Sequence, residues 1–342
     1  MGATLKDIAE KSGYSVTTVS RALSGYHDVN EQTRQHIIHI ANALGYEPNL
    51  PARHLRGLST QTIGMVIPAN DQTFSAHDFF SQLLTGVGDA ASRERYDLLI
   101  STQVPGEEEM SAYRRMVRGN RVDGMVLART RQHDPRIAYL QEQGRPFVVS
   151  GRSAPGEPND YPFIDVDSQA GLRILTEFLV GLGHRHIGLI LPPEDIAYTD
   201  YRHNGYRDGL AQGGLEYRAD YIVYGDLLRS GGYIGAQRLL DTYPLLTAII
   251  ACNDLMALGT MSAIQGRGLQ VGRDVAVAGF DDIPAAEYAH PALTTIQQPI
   301  YEIGQRLVRM LLAIIRGEDL PESQILLQPK LVVRASSGPK IT

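Results

Sequence analysis

Residues 4–57 read TLKDIAEKSGYSVTTVSRALSGYHDVNEQTRQHIIHIANALGYEPNLPARHLRG, three helix-period segments followed by a short polar tail. Thr4 stands just before an apolar face of Leu5, Ile8 and Ala9, with Asp7 three residues on. A capped helix is therefore expected, ending at Ser12-Gly13. Ser15 is placed to cap a second helix running to about Ser24, with Val19, Ala22 and Leu23 turned inward. Two helices joined by a short glycine-bearing turn make a helix-turn-helix. A third helix, opening at Asn30, spaces Ile37, Ile40, Ala41 and Leu44 at i, i+3, i+4 and i+7 and stops at Gly45. Such a head is expected to lie on DNA.

Outward from the head the pattern changes. From Ile63 onward IGMVIP, DLLIS, GMVLA, PFVVS, IGLIL, TAIIAC and VAVAGF read as buried strands, each followed by an amphipathic segment. Near-continuous Val/Ile/Leu strands alternating with helices indicate parallel sheets covered on both faces. There are enough units for two sheets, with TTIQQ and the tail ILLQPKLVVR supplying crossovers and edges. At 342 residues a small head plus a larger two-lobed unit is expected.

Charge divides unevenly. The chain carries a formal −6, yet residues 1–60 hold six Lys/Arg against five acids, while the remainder holds 26 against 33. A head so mildly basic needs helix N-terminal amides and a second copy to hold phosphates. The single cysteine, Cys252, reads as a buried strand-end thiol rather than a nucleophile, and it suits a reducing compartment. No apolar run reaches membrane length and the N-terminus has no signal-peptide core, so a cytoplasmic protein with no membrane partner is expected.

The run KDIAEKSGYSVTTVSRAL, then GYEPN and AR-x-L, resembles the head and hinge of the lac/gal repressor (LacI/GalR) family of bacterial transcription regulators. Further on, LGHRHIGLI, RHNGYRDGL, AIIACNDLMALG, VAVAGFDDI, PALTTIQQP and LVVRASS match that family's regulatory core in the same order. The resemblance implies a small all-α helix-turn-helix head over residues 1–48, a hinge helix over 49–60, and an α/β core over 61–342. That core would be periplasmic-binding-protein-like, with two Rossmann-like parallel sheets and an effector between them at the strand C-termini.

By position in the family motif, Val16, Thr17 and Arg21 are the expected base readers: Arg21 bidentate to a guanine, Thr17 adaptable, Val16 against a thymine methyl. Ser15, Thr18, Ser20 and Asn30 are expected to contact phosphates or cap helices. In the family two hinge helices of a dimer enter the minor groove. Leu55 stands at the position of the leucine that wedges a central base step, with Arg53 and Arg56 holding phosphates or the groove. The operator implied is a pseudo-palindrome with a central CG, and the assembly a homodimer. No leucine heptads follow LVVRASS, so no tetramerising tail is expected.

For the effector, Arg202 in YRHNGYRDGL matches the family's ligand arginine, and its planar fork suits vicinal hydroxyls. Asn253 and Asp281 each follow a strand directly; the alternatives for them are a helix cap and a turn. From the first lobe, Phe79 with Phe80 could form an aromatic wall, Arg152 follows a strand, and FIDVDS puts Asp165 and Asp167 on the same side of another. Ser168 occupies a place where many relatives carry Asn. A small sugar is the expected effector, with a purine or other nonsugar as the alternative within the same class.

Two other classes are disfavoured. The head argues against a sugar-binding transport protein. Against an enzyme, the G-x-G-x-x-A at 86–91 falls within a helical stretch rather than after a strand, and there is no P-loop or G-x-S-x-G. His184 and His186 lack zinc-ligand spacing, so neither a metal nor a cofactor is expected.

Overall fold

The computed structural model describes residues 3–23, 26, 28–46, 59–68 and 78–339. It divides into two compact units, residues 1–60 and 61–342.

The first unit holds α1 (Leu5–Ser12), α2 (Val16–Leu23) and α3 (Glu31–Ala43). Thr4 accepts from the Asp7 amide while the Asp7 carboxylate accepts from the Thr4 amide, a reciprocal box that satisfies two otherwise orphaned donors. Gly13, at φ 75°, supplies the left-handed residue that ends α1. The expected inward positions meet: Ile8, Val19, Ala22, Ile37 and Ala41 form the centre, with Leu5, Ala9, Leu23, Ile40 and Leu44 packed around it.

The second unit contains two six-stranded sheets. The first takes β1 (Thr62–Pro68), β2 (Asp97–Gln103), β3 (Gly124–Ala128), β4 (Phe147–Ser150), β5 (Phe163–Val166) and β11 (Gln324–Leu327), in the order β11-β5-β4-β3-β1-β2. The second takes β6 (Ile187–Leu191), β7 (Ile222–Tyr224), β8 (Ala248–Ala251), β9 (Ala276–Asp281), β10 (Thr294–Gln297) and β12 (Lys330–Val332), in the order β12-β10-β9-β8-β6-β7. All pairings are parallel except β10 with β12. The tail thus gives each sheet one edge strand.

Strand residues alternate between two apolar layers. Ile63, Met65 and Ile67 of β1 meet the layer under α4 (Asp78–Arg93) and α12 (Ile300–Arg316), whereas Val66 meets the other. That other layer is covered by α5 (Glu107–Arg118) and α6 (Pro135–Glu142). In the second lobe α7 (Ser168–Gly181) packs on α8 (Tyr198–Gln212), and α9 (Arg229–Thr242) on α10 (Asp254–Gly266), with the short α11 (Pro284–Glu287) following β9. One expectation needs correcting: DLLIS is not a buried strand. It lies in β2 at the sheet edge, half-exposed along its length, because only one side carries a neighbouring strand.

The chain passes between lobes three times, at Asp167, at Gln298-Pro299 and at Gln328-Pro329. The Asp167 amide donates to the Leu327 carbonyl (2.9 Å), tying two of these crossings together.

Candidate functional site

On the head, α2 turns Val16 and Thr17 outward, and both are exposed. Ser15 and Thr18 are tied to the helix start: the Ser15 hydroxyl accepts from the Thr18 amide (3.1 Å) and lies 2.9 Å from the Thr18 hydroxyl. Asn30 caps α3 by accepting from the Gln32 amide (2.8 Å). Arg21 is exposed and ion-paired with Asp28, its Nε donating at 3.3 Å, while its guanidinium carbon lies 5.3 Å from the Tyr26 ring centre. Val16, Thr17, Arg21 and Tyr26 share one shallow surface depression. Tyr26 and Asp28 went unremarked in the sequence reading, although an exposed aromatic and an acid so near a basic base reader were a usable signal. Ser20 is largely buried, yet it lines the same depression as Val16, Thr17 and Arg21. Arg53, Leu55 and Arg56 lie outside the described residues.

In the second unit a cleft opens between the lobes where the C-terminal ends of both sheets converge, as expected for open α/β sheets. Its free space, open mouth included, is about 710 Å³. Phe79, Asp165, Arg202, Asn253 and Asp281, all expected from sequence, line it.

Arg202 is 3% exposed. Its guanidinium carbon sits 4.2 Å from the Tyr198 ring centre and 3.9 Å from that of Phe280, and Nη1 donates to the Cys252 carbonyl. The aromatic faces attract the cation and fix its plane. Its buried Nε has no hydrogen-bond partner among the described residues, which leaves a donor for something else.

Asp281 ends β9 and accepts from the Gln298 side chain (2.6 Å). Burial pushes its carboxyl up, against the opposing pull of Arg202, Gln298 and Arg129. Asp254, just beneath, is fully buried and accepts from the Thr295 hydroxyl (2.6 Å) and the Ile283 amide (2.9 Å). Burial first and Asp281 second raise its pKa. Asp165 is pushed up to about 6 by burial, with Arg152 opposing.

Two expected ligand residues have other duties. Arg152 does not join the cleft wall, because its guanidinium is engaged behind it: Nε lies 3.1 Å from Asp165, Nη2 3.7 Å from Asp167, and the Tyr201 ring centre is 3.9 Å away. Asn253 does line the cleft, but as the cap of α10. Its Oδ1 accepts from the Met256 amide and its Nδ2 donates to the Leu227 carbonyl, both at 2.9 Å. Phe79 stands edge-on to Phe80 (5.6 Å between centres) and provides the apolar wall.

Sequence reasoning missed Arg129, Thr130, Leu227 and Gln298 on this wall. Arg129 follows the GMVLA strand directly, so the strand-end rule that singled out Asn253 could have found it. Gln298 is recognisable only once the crossover is known. Away from the cleft, His184 and His186 bond Thr247 and Tyr221 (3.0 Å each), while the Cys252 thiol, beside Arg202, is pushed up to about 12 by burial.

Family models match both units: "Bacterial regulatory proteins, lacI family" over residues 4–49 and "Periplasmic binding protein-like domain" over 176–337. The "HTH-type transcriptional regulator CelR" of Thermobifida fusca is 33% identical over 335 residues, 97% of this chain and 98% of that protein. This chain belongs to the lacI family of bacterial regulatory proteins. Among solved structures this lacI-family chain is similar to a "transcriptional regulator CelR-cellobiose complex" (32% identity, TM-score 0.76, covering 98% and 99% of the two chains). It is also similar to a lac repressor dimer bound to operator and an anti-inducer (27%, TM-score 0.83, 99% and 100%). The likeness to each spans head and core alike.

Proposed function

We propose that this protein is a cytoplasmic, homodimeric transcriptional regulator, not an enzyme, whose operator affinity is set by a saccharide taken between the lobes. The observation that carries the effector reading is Arg202, buried between two rings with a donor unspent, in a cleft shared with the Asp281 carboxyl and Phe79. A sugar ring needs planar groups that grip hydroxyl pairs and an apolar plate under its C–H face. A planar purine fits less well, since Tyr198 and Phe280 each already give a face to Arg202. The cellobiose-bound relative points the same way.

On the head, Val16, Thr17 and Arg21 would read base edges, with Ser15, Thr18 and Asn30 near phosphates. Arg53, Leu55 and Arg56 would act in the paired hinges on a pseudo-palindrome with a central CG. By linkage, effector and operator must affect each other's binding equally.

Fluorescence anisotropy of such a duplex, taken from the upstream region and titrated with and without mono- and disaccharides, tests this reading. One sugar should shift operator affinity, and Arg202→Gln should abolish that shift while operator binding persists. Operator affinity indifferent to every sugar would defeat the saccharide reading.

A further inference from the structure

Arg129 directly follows β3 in the left-handed region, at φ 54°. Non-glycine residues avoid that region unless the surroundings impose it, and such strain gathers at binding sites. Of eight such residues among those described, Arg129, Leu227 and Asp281 line the cleft.

What imposes the turn here is visible. Arg136, fully buried, donates to the carbonyls of Ala128 (3.3 Å) and Arg129 (2.8 Å). It is itself clasped by Asp134 (2.6 Å) and Glu109 (3.2 Å). Four charged groups, with Arg131 the fourth, are thus committed beneath one turn. A buried network of this kind adds little net stability. Its product is a fixed direction for the Arg129 side chain.

That side chain lines the cleft with its guanidinium carbon 4.8 Å from the Phe80 ring centre, and no carboxylate of the described residues lies within ion-pair distance of it. The same turn reaches the other lobe. The Thr130 carbonyl accepts from the Ala197 amide (3.0 Å), and the Gln132 amide donates to the Asp195 carbonyl (2.8 Å). These contacts stand next to α8, which carries Arg202.

We propose that Arg129 is a second effector-gripping guanidinium, supplied by the first lobe, and that a saccharide is held between it and Arg202. This rests on the saccharide reading of the cleft. Each guanidinium is planar and backed by an aromatic ring, so each can take a pair of hydroxyls in its plane. Of the nearby carboxyls, Asp281 faces both arginines, whereas Asp165 is paired with Arg152. A ligand bound to both guanidiniums joins the lobes at the place where the Thr130–Ala197 contact already meets. Arg136 is then a positioning residue for Arg129.

Isothermal titration of the full-length protein with cellobiose, maltose, sucrose and trehalose tests this, comparing wild type with Arg129→Gln and Arg129→Gly. Arg129→Gln should weaken whichever sugar binds wild type by roughly tenfold to a hundredfold, the worth of a charged hydrogen bond, with the sugar-free melting temperature unchanged. Arg129→Gly relieves the left-handed strain, so it should lose the same affinity while melting at or above wild type. Wild-type affinity in either variant would overturn the role of Arg129 and leave the saccharide reading intact. If none of the sugars bound wild type, that reading would fall and this inference with it.

Discussion

At Asp254 and Asp281 two carboxyls share a buried site, and burial holds both pKa values above the ordinary 3.8. A carboxyl whose folded pKa is raised binds its proton more tightly folded than unfolded. Its stabilising contribution is complete below the unfolded value and is lost as pH rises through the folded one. His184 and His203, lowered mainly by burial, act in the opposite sense: their contribution is present above the unfolded pKa and lost as pH falls through the depressed one. A difference measurement separates the two. The melting temperature of wild type minus that of Asp254→Asn should decline from pH 4 to pH 8; a flat or rising difference would contradict the assignment. On the head the residue-scale prediction concerns Arg21. Arg21→Ala should cost roughly 1–3 kcal/mol of operator binding and relax discrimination at one base position, as read by competition with singly altered duplexes. Uniform weakening across all duplexes would instead mark Arg21 as a phosphate contact. Arg202 was legible from sequence because it matches the family's ligand arginine, and Asp281 because it stands at a strand end. Arg152 misled the same rule: it too follows a strand, but Asp165, Asp167 and Tyr201 hold its guanidinium away from the wall.

Among the elements, caps and close approaches decide how well each helix stands. Thr4→Ala removes one half of the box on α1, and should cost the head about 1 kcal/mol. Helical circular dichroism during chemical denaturation would show the loss, and an unchanged head transition would count against the box. Between α9 and α10 the packing is closer than side chains permit. A Cβ on Gly232 would overlap the Met256 carbonyl, and one on Gly259 the Arg229 carbonyl. Gly259→Ala should therefore destabilise the core by about 1–3 kcal/mol, as overpacking does, measured by urea denaturation. Stability equal to wild type would mean that the two helices part easily. Periodicity is a local property, which is why GMVLA and IGLIL matched their strands end to end. Nothing local distinguishes Gly232 or Gly259 from a glycine in a loop, because the partner carbonyl is set by tertiary packing. The short edge strand β7, three residues in an unremarkable YIVYG, was likewise beyond pattern reading.

For the whole molecule, three crossovers give each lobe segments from distant parts of the chain: α12 completes the first lobe although it follows the second lobe's β10. That exchange is why Gln298, at a crossover and bonded to Asp281, entered no reading of the cleft, whereas the two-lobe plan was legible. The charge balance leads to a prediction at this scale. Residues 1–60 carry six basic against five acidic side chains, and one such head can neutralise few phosphates. Operator affinity must then come from two heads acting at once, with the second binding event made intramolecular. Linked modules of this kind gain on the order of 10²–10⁴ over either alone. Scrambling one half-site of a palindromic duplex should accordingly weaken the full-length protein by at least about a hundredfold, measured by anisotropy at fixed salt. The intact site should also show the steeper loss of affinity with salt, since two heads release more counterions than one. If the half-site duplex bound within a few fold of the intact one, a single head would suffice, and the dimeric operator reading would have to be abandoned.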